Sequence, residues 1–290
     1  MEYISLFTEE DNLCNPSIVE YNDSIVGLVK EWDFNSNPYF EGNTYLFKVD
    51  KENYELNMIK EVKCLSGLRD YTLFKSREGL YALCYHKNKI YFVVFNDEGE
   101  SIEELNVKGL PSLYDYSNKN FSPIEKDEYT IDFVYSFNPF NIIRIKEDGF
   151  IHLPITKKSN INLKLHGGTR FIHFNDNELI SVYHTYEGEA NRYYKVYLVT
   201  ISNDYPYKPM RISNKPILEG NMVGDNIKPN KKCKWLNEKA KVVFERGIAK
   251  LDNKYIISYG VQDRESWLLT ATYNELDSLL DKTIDIEEVN

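Results

Sequence analysis

Apolar residues along this chain come in short runs bounded by Asp, Asn and Gly, and hardly anywhere at helical spacing. GIAKLDNKYIISYG (247–260) is representative: Ile248, Ala249 and Leu251 lead into Asp252-Asn253, and Tyr255, Ile256, Ile257 and Tyr259 follow. Such runs, rich in β-branched and aromatic residues on either side of a turn pair, predict two strands and a tight hairpin. The same shape returns in SIVEYNDSIVGLVKEW (17–32), YTLFKSREGLYALCYH (71–86), SPIEKDEYTIDFVYS (122–136) and TRFIHFNDNELISVYH (169–184). One slot near the end of each copy holds Glu31, Tyr85, Tyr135, Tyr183 and Tyr259, in steps of 54, 50, 48 and 76 residues. Further apolar runs follow the hairpins, as in NKIYFVVFN (88–96) and YYKVYLVTIS (193–202).

Four strands per unit at a period of about 50 residues is the pattern of a propeller blade. The expected fold is therefore all-β, a single five-bladed β-propeller over residues 1–290. Its blades are four-stranded and antiparallel around a central channel, starting near 15, 70, 120, 168 and 244. A sandwich is the competing all-β reading, but it has no need of five similar hairpins at near-equal spacing. The one long step contains ILEGNMVGDNIKPNKKCKWLNEKAK (217–241), polar and rich in Lys and Asn, which predicts a long loop. A short C-terminal helix is expected near 275–281.

In a propeller the first strand of each blade lines the channel, so equivalent positions converge. The stretches before the hairpins are LCNPS (13–17), LRDYT (68–72), NKNFS (118–122), HGGTR (166–170) and FERGI (244–248). They supply Asn15, Arg69, Asp70, Asn120, Arg170, Glu245 and Arg246, more polar chemistry than turns require. A second group ends the next strand: Trp32, His86, Ser136, His184 and Asp263. Arg170, His184, Arg192, Lys195, Arg246 and Arg264 fall in or near the last two blades. If they converge, they offer a local positive field for phosphate, a sugar phosphate or a nucleotide diphosphate. Scattered surface charge is the plainer reading of the same residues.

Composition narrows the partners. The net charge is −10, which argues against nucleic acid, since a phosphate backbone rewards a basic surface. No apolar run reaches the length of a membrane helix. MEYISLFTEEDN has no basic segment before an apolar one, so no secretory signal is read and a cytoplasmic location is expected. Cys14, Cys64, Cys84 and Cys233 lack CxxC spacing and are expected as buried free thiols rather than metal ligands. No cofactor motif is present, leaving inorganic phosphate or a sugar nucleotide as a possible co-substrate. Tyrosine is abundant, 23 residues beside 15 Phe, and most aromatics are expected between blades. Trp32 and Trp235 are the candidates to stack on a sugar ring.

Taken together, NPSIVEYND, GLRDYTLF, KNFSPIEKDEYTIDFVYSFNP, GGTRFI…YHTYEG…YY and VVFERGIAKLDNKYIISYGVQD resemble glycoside hydrolase family 130. The resemblance spans roughly residues 13 to 273 and rests on the order and spacing of these motifs. It implies a five-bladed propeller that phosphorolyses or hydrolyses mannosides, with relatives that are β-1,2-mannosyltransferases. It further implies that Asp70 is the general acid of an inverting reaction, passing its proton through a sugar hydroxyl. His184 with Tyr193 or Tyr194 would help hold phosphate, Asp263 would lie near the sugar, and Gly167-Gly168-Thr169 would match the family's Gly-Gly-Thr-Pro corner.

The departures are Arg69, Tyr71-Thr72 and Arg170, which replace the acidic neighbour, the Pro-Arg and the corner Pro of the family pattern. They point to a divergent branch. An arginine beside Asp70 would hold its pKa down, which suits binding better than proton donation unless water is excluded. Hydrolysis would call for a second carboxylate, for which Glu245 and Asp263 are candidates. The expected function is a glycan-active enzyme of the mannoside phosphorylase or hydrolase type, acting on an oligosaccharide or sugar phosphate. Asn15, Arg69, Asn120, Glu245, Asp263 and Trp32 are its expected substrate-binding residues, and Arg170, His184, Arg192, Tyr193 and Arg246 its anion site. A glycosyltransferase using an activated sugar and a non-catalytic carbohydrate-binding propeller are the alternatives.

Overall fold

The computed structural model describes residues 1–8, 11, 13–31, 42–51, 53–65, 68–76, 79–86, 89–96, 99–105, 121–124, 131–137, 139–146, 149–189, 191–222 and 239–288. Trp32, Asn120, Trp235, Cys233 and most of the expected loop at 217–241 lie outside them. Cys14 and Cys84 are buried and Cys64 is half-buried, and no helix among the described residues is long and apolar enough to cross a membrane.

The described chain is nearly all antiparallel sheet. It opens on β1 (Glu2–Phe7), and a first sheet follows: β2 (Leu13–Tyr21), β3 (Ser24–Glu31), β4 (Thr44–Val49) and β5 (Leu56–Glu61), neighbours in chain order. The second is β6 (Arg69–Ser76), β7 (Gly79–His86), β8 (Lys89–Asn96) and β9 (Gly99–Leu105). The third is β10 (Ser122–Ile124), β11 (Ile131–Phe137), β12 (Phe140–Lys146) and β13 (Gly149–Ser159). In the fourth, β14 (His166–Gly168) and β15 (Ile172–Asn175) both pair with β16 (Glu178–Glu187). Next come β17 (Tyr193–Ser202) and β18 (Pro209–Ile212), with β19 (Leu218–Glu219) also on β17. The fifth is β20 (Val243–Leu251), β21 (Lys254–Val261) and β22 (Glu265–Thr272), completed by β1 on the edge of β22.

Five apolar clusters join these sheets pairwise in a cycle: first to second, second to third, third to fourth, fourth to fifth, and fifth back to first. Each inner sheet face therefore meets a neighbour, which explains the near-continuous apolar runs of the sequence. In β21, Tyr255, Ile257 and Tyr259 face the fourth sheet while Ile256 faces the first. In β3, Val26 and Leu28 face the second sheet, and Ile25 and Val29 the fifth. Burying one such side chain stabilises the fold by about 1.5–3 kcal/mol. The repeat slot has the same origin: Tyr85, Tyr183 and Tyr259 lie opposite Arg69, Gly168 and Glu245 at the start of their sheets.

The helix is α1 (Tyr273–Asp277), two residues earlier than expected and ending well before 281. A capping box sets its start: Thr272 Oγ1 accepts from the Glu275 amide, and the Glu275 carboxylate accepts from the Thr272 amide at 2.8 Å. The chain then runs along the edges of two sheets, as β23 (Lys282–Thr283) on β18 and β24 (Ile286–Glu288) on β13. Covering strand edges in this way removes unpaired backbone groups.

Candidate functional site

The first strands of the sheets pack against one another, β2 against β6 and β20, and β10 against β6. Their starting ends share one irregularity. Register breaks fall between Cys14 and Ser17, Arg69 and Thr72, His166 and Gly168, and Glu245 and Gly247. Three of these bulges carry a residue in the left-handed region: Asn15 at φ 56°, Asp70 at φ 51° and Gly167 at φ 50°. Asn and Asp tolerate that conformation better than other side-chain-bearing residues, and a bulge re-aims a side chain out of the sheet pattern. One device thus recurs at the starting ends of the first, second, fourth and fifth sheets.

Asp70 is half-buried at its bulge. Arg246, buried, donates through Nη2 to the Tyr71 carbonyl and stacks its guanidinium 5.4 Å from the Phe244 ring centre. Burial lowers the arginine's hold on its proton, while the charges of Asp70 and Glu245 work the other way. Both carboxylates thus lie within electrostatic reach of one guanidinium. The strands are laced beneath them: Ser17 Oγ donates to the Arg246 carbonyl at 3.0 Å and accepts from the Leu73 amide at 2.9 Å. Lys30 Nζ donates to the Leu68 carbonyl at 2.8 Å, fixing the approach to Arg69-Asp70.

His184 and Glu245 form a buried pair between the fourth and fifth sheets. Nδ1 lies 2.8 Å from Glu245 Oε1, with side-chain exposures of 5% and 1%. With the proton on Nδ1, the carboxylate fixes the tautomer and leaves Nε2 as an acceptor. Glu245 Oε2 is buried without a hydrogen-bond partner. Burial pushes the Glu245 carboxyl up; the His184 charge and hydrogen bond, its own backbone and Arg246 pull it back only in part. Around His184 the rings of Phe244, Tyr194 and His166 lie at 4.9, 5.3 and 5.9 Å. His166 stacks in turn on Tyr186, and the Arg192 guanidinium caps that ring at 4.6 Å.

Asn15 and Asp263 form a further pair, Nδ2 to Oδ1 at 2.9 Å. Gln262 and Asp263 are both left-handed, at φ 56° and 52°. The Gln262 side chain is pinned at 2.8 Å to the Val242 amide and the Ala240 carbonyl, which positions Asp263 on the turn between β21 and β22. Gly260 is required here, because a Cβ would come 2.0 Å from Asn15 Oδ1.

The structure thus brings Asp70 with Arg246, His184 with Glu245, and Asn15 with Asp263. It gives the other expected anion-site cations protein partners of their own. Arg170 is fully buried and donates through Nε to the Ile248 carbonyl at 2.9 Å. Arg192 lies on Tyr186 with Nη1 3.4 Å from Tyr194 Oη, and Lys195 pairs with Glu187 at 2.7 Å. Tyr193 Oη donates to Glu219 at 3.2 Å and accepts from the Asn221 amide at 3.0 Å. The hydrogen-bond partner of His184 is Glu245. Arg69 heads β6. Sequence reasoning did not single out Lys30, His166 or Gln262. A lysine inside SIVGLVKE was the visible signal for the first; nothing marked the other two.

No family model matches the chain, and no curated protein matches it. Solved structures do. A β-1,2-mannobiose phosphorylase from Listeria innocua, in complex with β-1,2-mannobiose, superposes with a TM-score of 0.65 at 14% identity, over 97% of this chain and 99% of its own. A structure described under the GH130 family of mannoside phosphorylases, containing hydrolases of β-1,2-mannosidic linkages in Candida mannan, gives 0.64 at 11%, over 90% and 84%. A GDP-Man-dependent mannosyltransferase from Leishmania mexicana gives 0.56 at 13%, over 94% and 90%. The chain resembles glycoside hydrolase family 130 in structure, and at these identities the likeness is one of fold.

Proposed function

We propose that this protein is a glycan-active enzyme on a five-bladed β-propeller, cleaving a β-linked mannoside with inversion, with Asp70 as proton donor. The five sheets, joined in a cycle, are the blades in this reading, and their first strands line the channel. The observation that carries it is the repeated bulge at the start of β2, β6 and β20, which falls at Asn15, Asp70 and Arg246. The similarity of fold to mannoside-active proteins supports the choice of sugar.

Within that reading, hydrolysis is favoured over phosphorolysis. Inverting hydrolysis uses a carboxylic acid and a carboxylate base with water between them. Asp70 and Glu245 are both within electrostatic reach of Arg246. Glu245, whose proton affinity is raised by burial and whose Oε1 is held by His184, has the properties of a base tuned towards neutrality. A dianionic phosphate would meet a buried carboxylate at His184, and Arg170 and Lys195 are committed elsewhere. The second reading is a mannosyl transferase, supported by the likeness in fold to a GDP-Man-dependent mannosyltransferase.

One incubation separates the readings: β-1,2-mannobiose with and without phosphate, and GDP-mannose with a mannosyl acceptor. Release of mannose without phosphate is expected. Phosphate-dependent mannose 1-phosphate would make it a phosphorylase, GDP release a transferase, and no turnover of either donor would remove mannose from the proposal.

A further inference from the structure

Just before β20, residues 240–242 form a splint between the fourth and fifth sheets. Lys241 faces the fourth: its amide donates to the Arg192 carbonyl at 2.8 Å, and its carbonyl accepts from the Tyr194 amide at 3.1 Å. The residues on either side of it turn to Gln262 in the fifth. The Gln262 amide donates to the Val242 carbonyl at 3.0 Å, Oε1 accepts from the Val242 amide at 2.8 Å, and Nε2 donates to the Ala240 carbonyl at 2.8 Å. Gly220 closes the fourth-sheet side. A Cβ there would come 2.6 Å from Lys241 Cβ, 2.9 Å from its carbonyl oxygen and 3.0 Å from Tyr193 Cδ2. Tyr193 holds the approach to Gly220 through its phenol, bonded to Glu219 and to the Asn221 amide.

Gln262 is an unusual residue for its place. Asn22, Asp23 and Asp252, left-handed in hairpin turns of the first and fifth sheets, are exposed residues of the types that tolerate that backbone. Gln262 is left-handed at φ 56° without that tolerance, and it is buried. Such a residue persists where its surroundings over-determine it, and its three bonds to the splint do so. The consequence falls on the next residue. Asp263, left-handed in turn, accepts from Asn15 Nδ2 at 2.9 Å, and Asn15 Oδ1 fills the space over Gly260. The pair spans the junction of the fifth sheet with the first, so a shift of Gln262 moves one partner away from the other.

We propose that Gln262 is the positioning residue of the Asn15–Asp263 pair and takes its own position from the splint, so that the fit of Gly220 against Lys241 is transmitted to the pair. The route is short: Gly220 and Tyr193 set Lys241, its covalent neighbours Ala240 and Val242 set Gln262, and Gln262 sets Asp263. The positioning stands apart from the proposed function, whereas the binding of a sugar hydroxyl by the pair rests on it.

NMR of the full chain with nitrogen-labelled asparagine is the test, reading the Asn15 side-chain amide, which is identified by its loss in Asn15→Ala. Gln262→Gly leaves a residue at ease in the left-handed region and removes the side-chain bonds to the splint. It is expected to move the Asn15 signal towards that of a solvated amide. Gly220→Ala is expected to move it the same way, with no further shift in the double variant, because both act along one route. Should Gly220→Ala not fold, Tyr193→Phe takes its place, since it loses the bonds of the phenol to Glu219 and Asn221. A signal that Gln262→Gly leaves in place overturns the positioning role. A signal that only Gln262→Gly moves, or shifts that add in the double variant, overturn the transmission from Gly220. With β-1,2-mannobiose, Gln262→Gly should raise KM about five- to tenfold at unchanged kcat, the loss of about one hydrogen bond of uniform binding. An unchanged KM despite a shifted signal overturns the pair's place in the sugar site. A shifted signal in a protein that does not turn over mannobiose removes the mannoside reading and leaves the positioning role standing.

Discussion

Glu178 and Glu245 belong to neighbouring sheets and are both buried, at 6% and 2% exposure, but they are solvated by the protein in opposite ways. Glu178 accepts from Thr200 Oγ1 and Arg211 Nε on one oxygen, and from Asn175 Nδ2 and Arg211 Nη2 on the other. Arg211 is itself shared with Asp277 at 2.9 Å, tying β18 to α1. Burial alone would raise the Glu178 carboxyl, but the donors win and hold it below its usual range. Glu245 has one partner, His184, and one empty oxygen, and its carboxyl is held up. The first arrangement is what stability alone produces; the second leaves binding capacity unspent, the mark of a site made for something else.

The comparison breaks first at the chemistry. Asp70→Asn is expected to reduce mannoside turnover by about 10²–10⁴-fold, the range of a general acid, while the melting temperature holds. Full turnover in that variant would take Asp70 out of the role. Next in size, Glu178→Gln should cost about 2–3 kcal/mol in urea unfolding, because it removes charged hydrogen bonds to a half-buried arginine, and it should leave turnover alone. Since the folded pKa of Glu178 is depressed, its contribution is present above the unfolded value of about 4.3 and lost as pH falls through the folded one. The gap between wild type and variant should therefore close on acidification, and a constant gap would contradict the assignment.

Gly168→Ala should cost about 1–3 kcal/mol by overpacking against Ser122 and Tyr183; a neutral effect would mean that the phenol is free to move aside. Smallest is the pH trend of Glu245→Gln. Here the folded pKa is raised, so stability from this group is present below its unfolded pKa and lost as pH rises through the folded one. Relative to wild type, the variant's melting temperature should climb by a few degrees from acid to neutral pH. A falling difference would show that the His184 ion pair outweighs burial.

Much of this was legible in the chain. The hairpins at 169–184 and 247–260 stand out because both faces of their second strands are buried, so Leu179 beside Ile180 and Ile256 beside Ile257 form unbroken apolar runs. LCNPS and LRDYT also announced their bulges, since Asn15 and Asp70 are residues that accept a left-handed backbone. Partner choice was not legible. Nothing in FERGI says that Glu245 turns to a histidine 61 residues earlier to form a carboxylate–imidazole pair. Arg170 looked like a rim cation because composition gives no hint that a backbone carbonyl of the next sheet would receive it. The edge strands β1, β23 and β24 carry no signal beyond their own few residues, and only the sheets they join give them meaning.

The completion of the fifth sheet by β1 also has a kinetic meaning. Glu2 pairs with Thr270, and their side chains meet at 3.4 Å across 268 residues of sequence. On the ribosome β2 to β5 can pair with one another as soon as they are made, but β1 has no partner until β22 emerges. Until then EYISLF is an unpaired edge in search of hydrogen bonds, and closing the fifth sheet requires a contact across 268 residues, the kind of long-range pairing that slows folding.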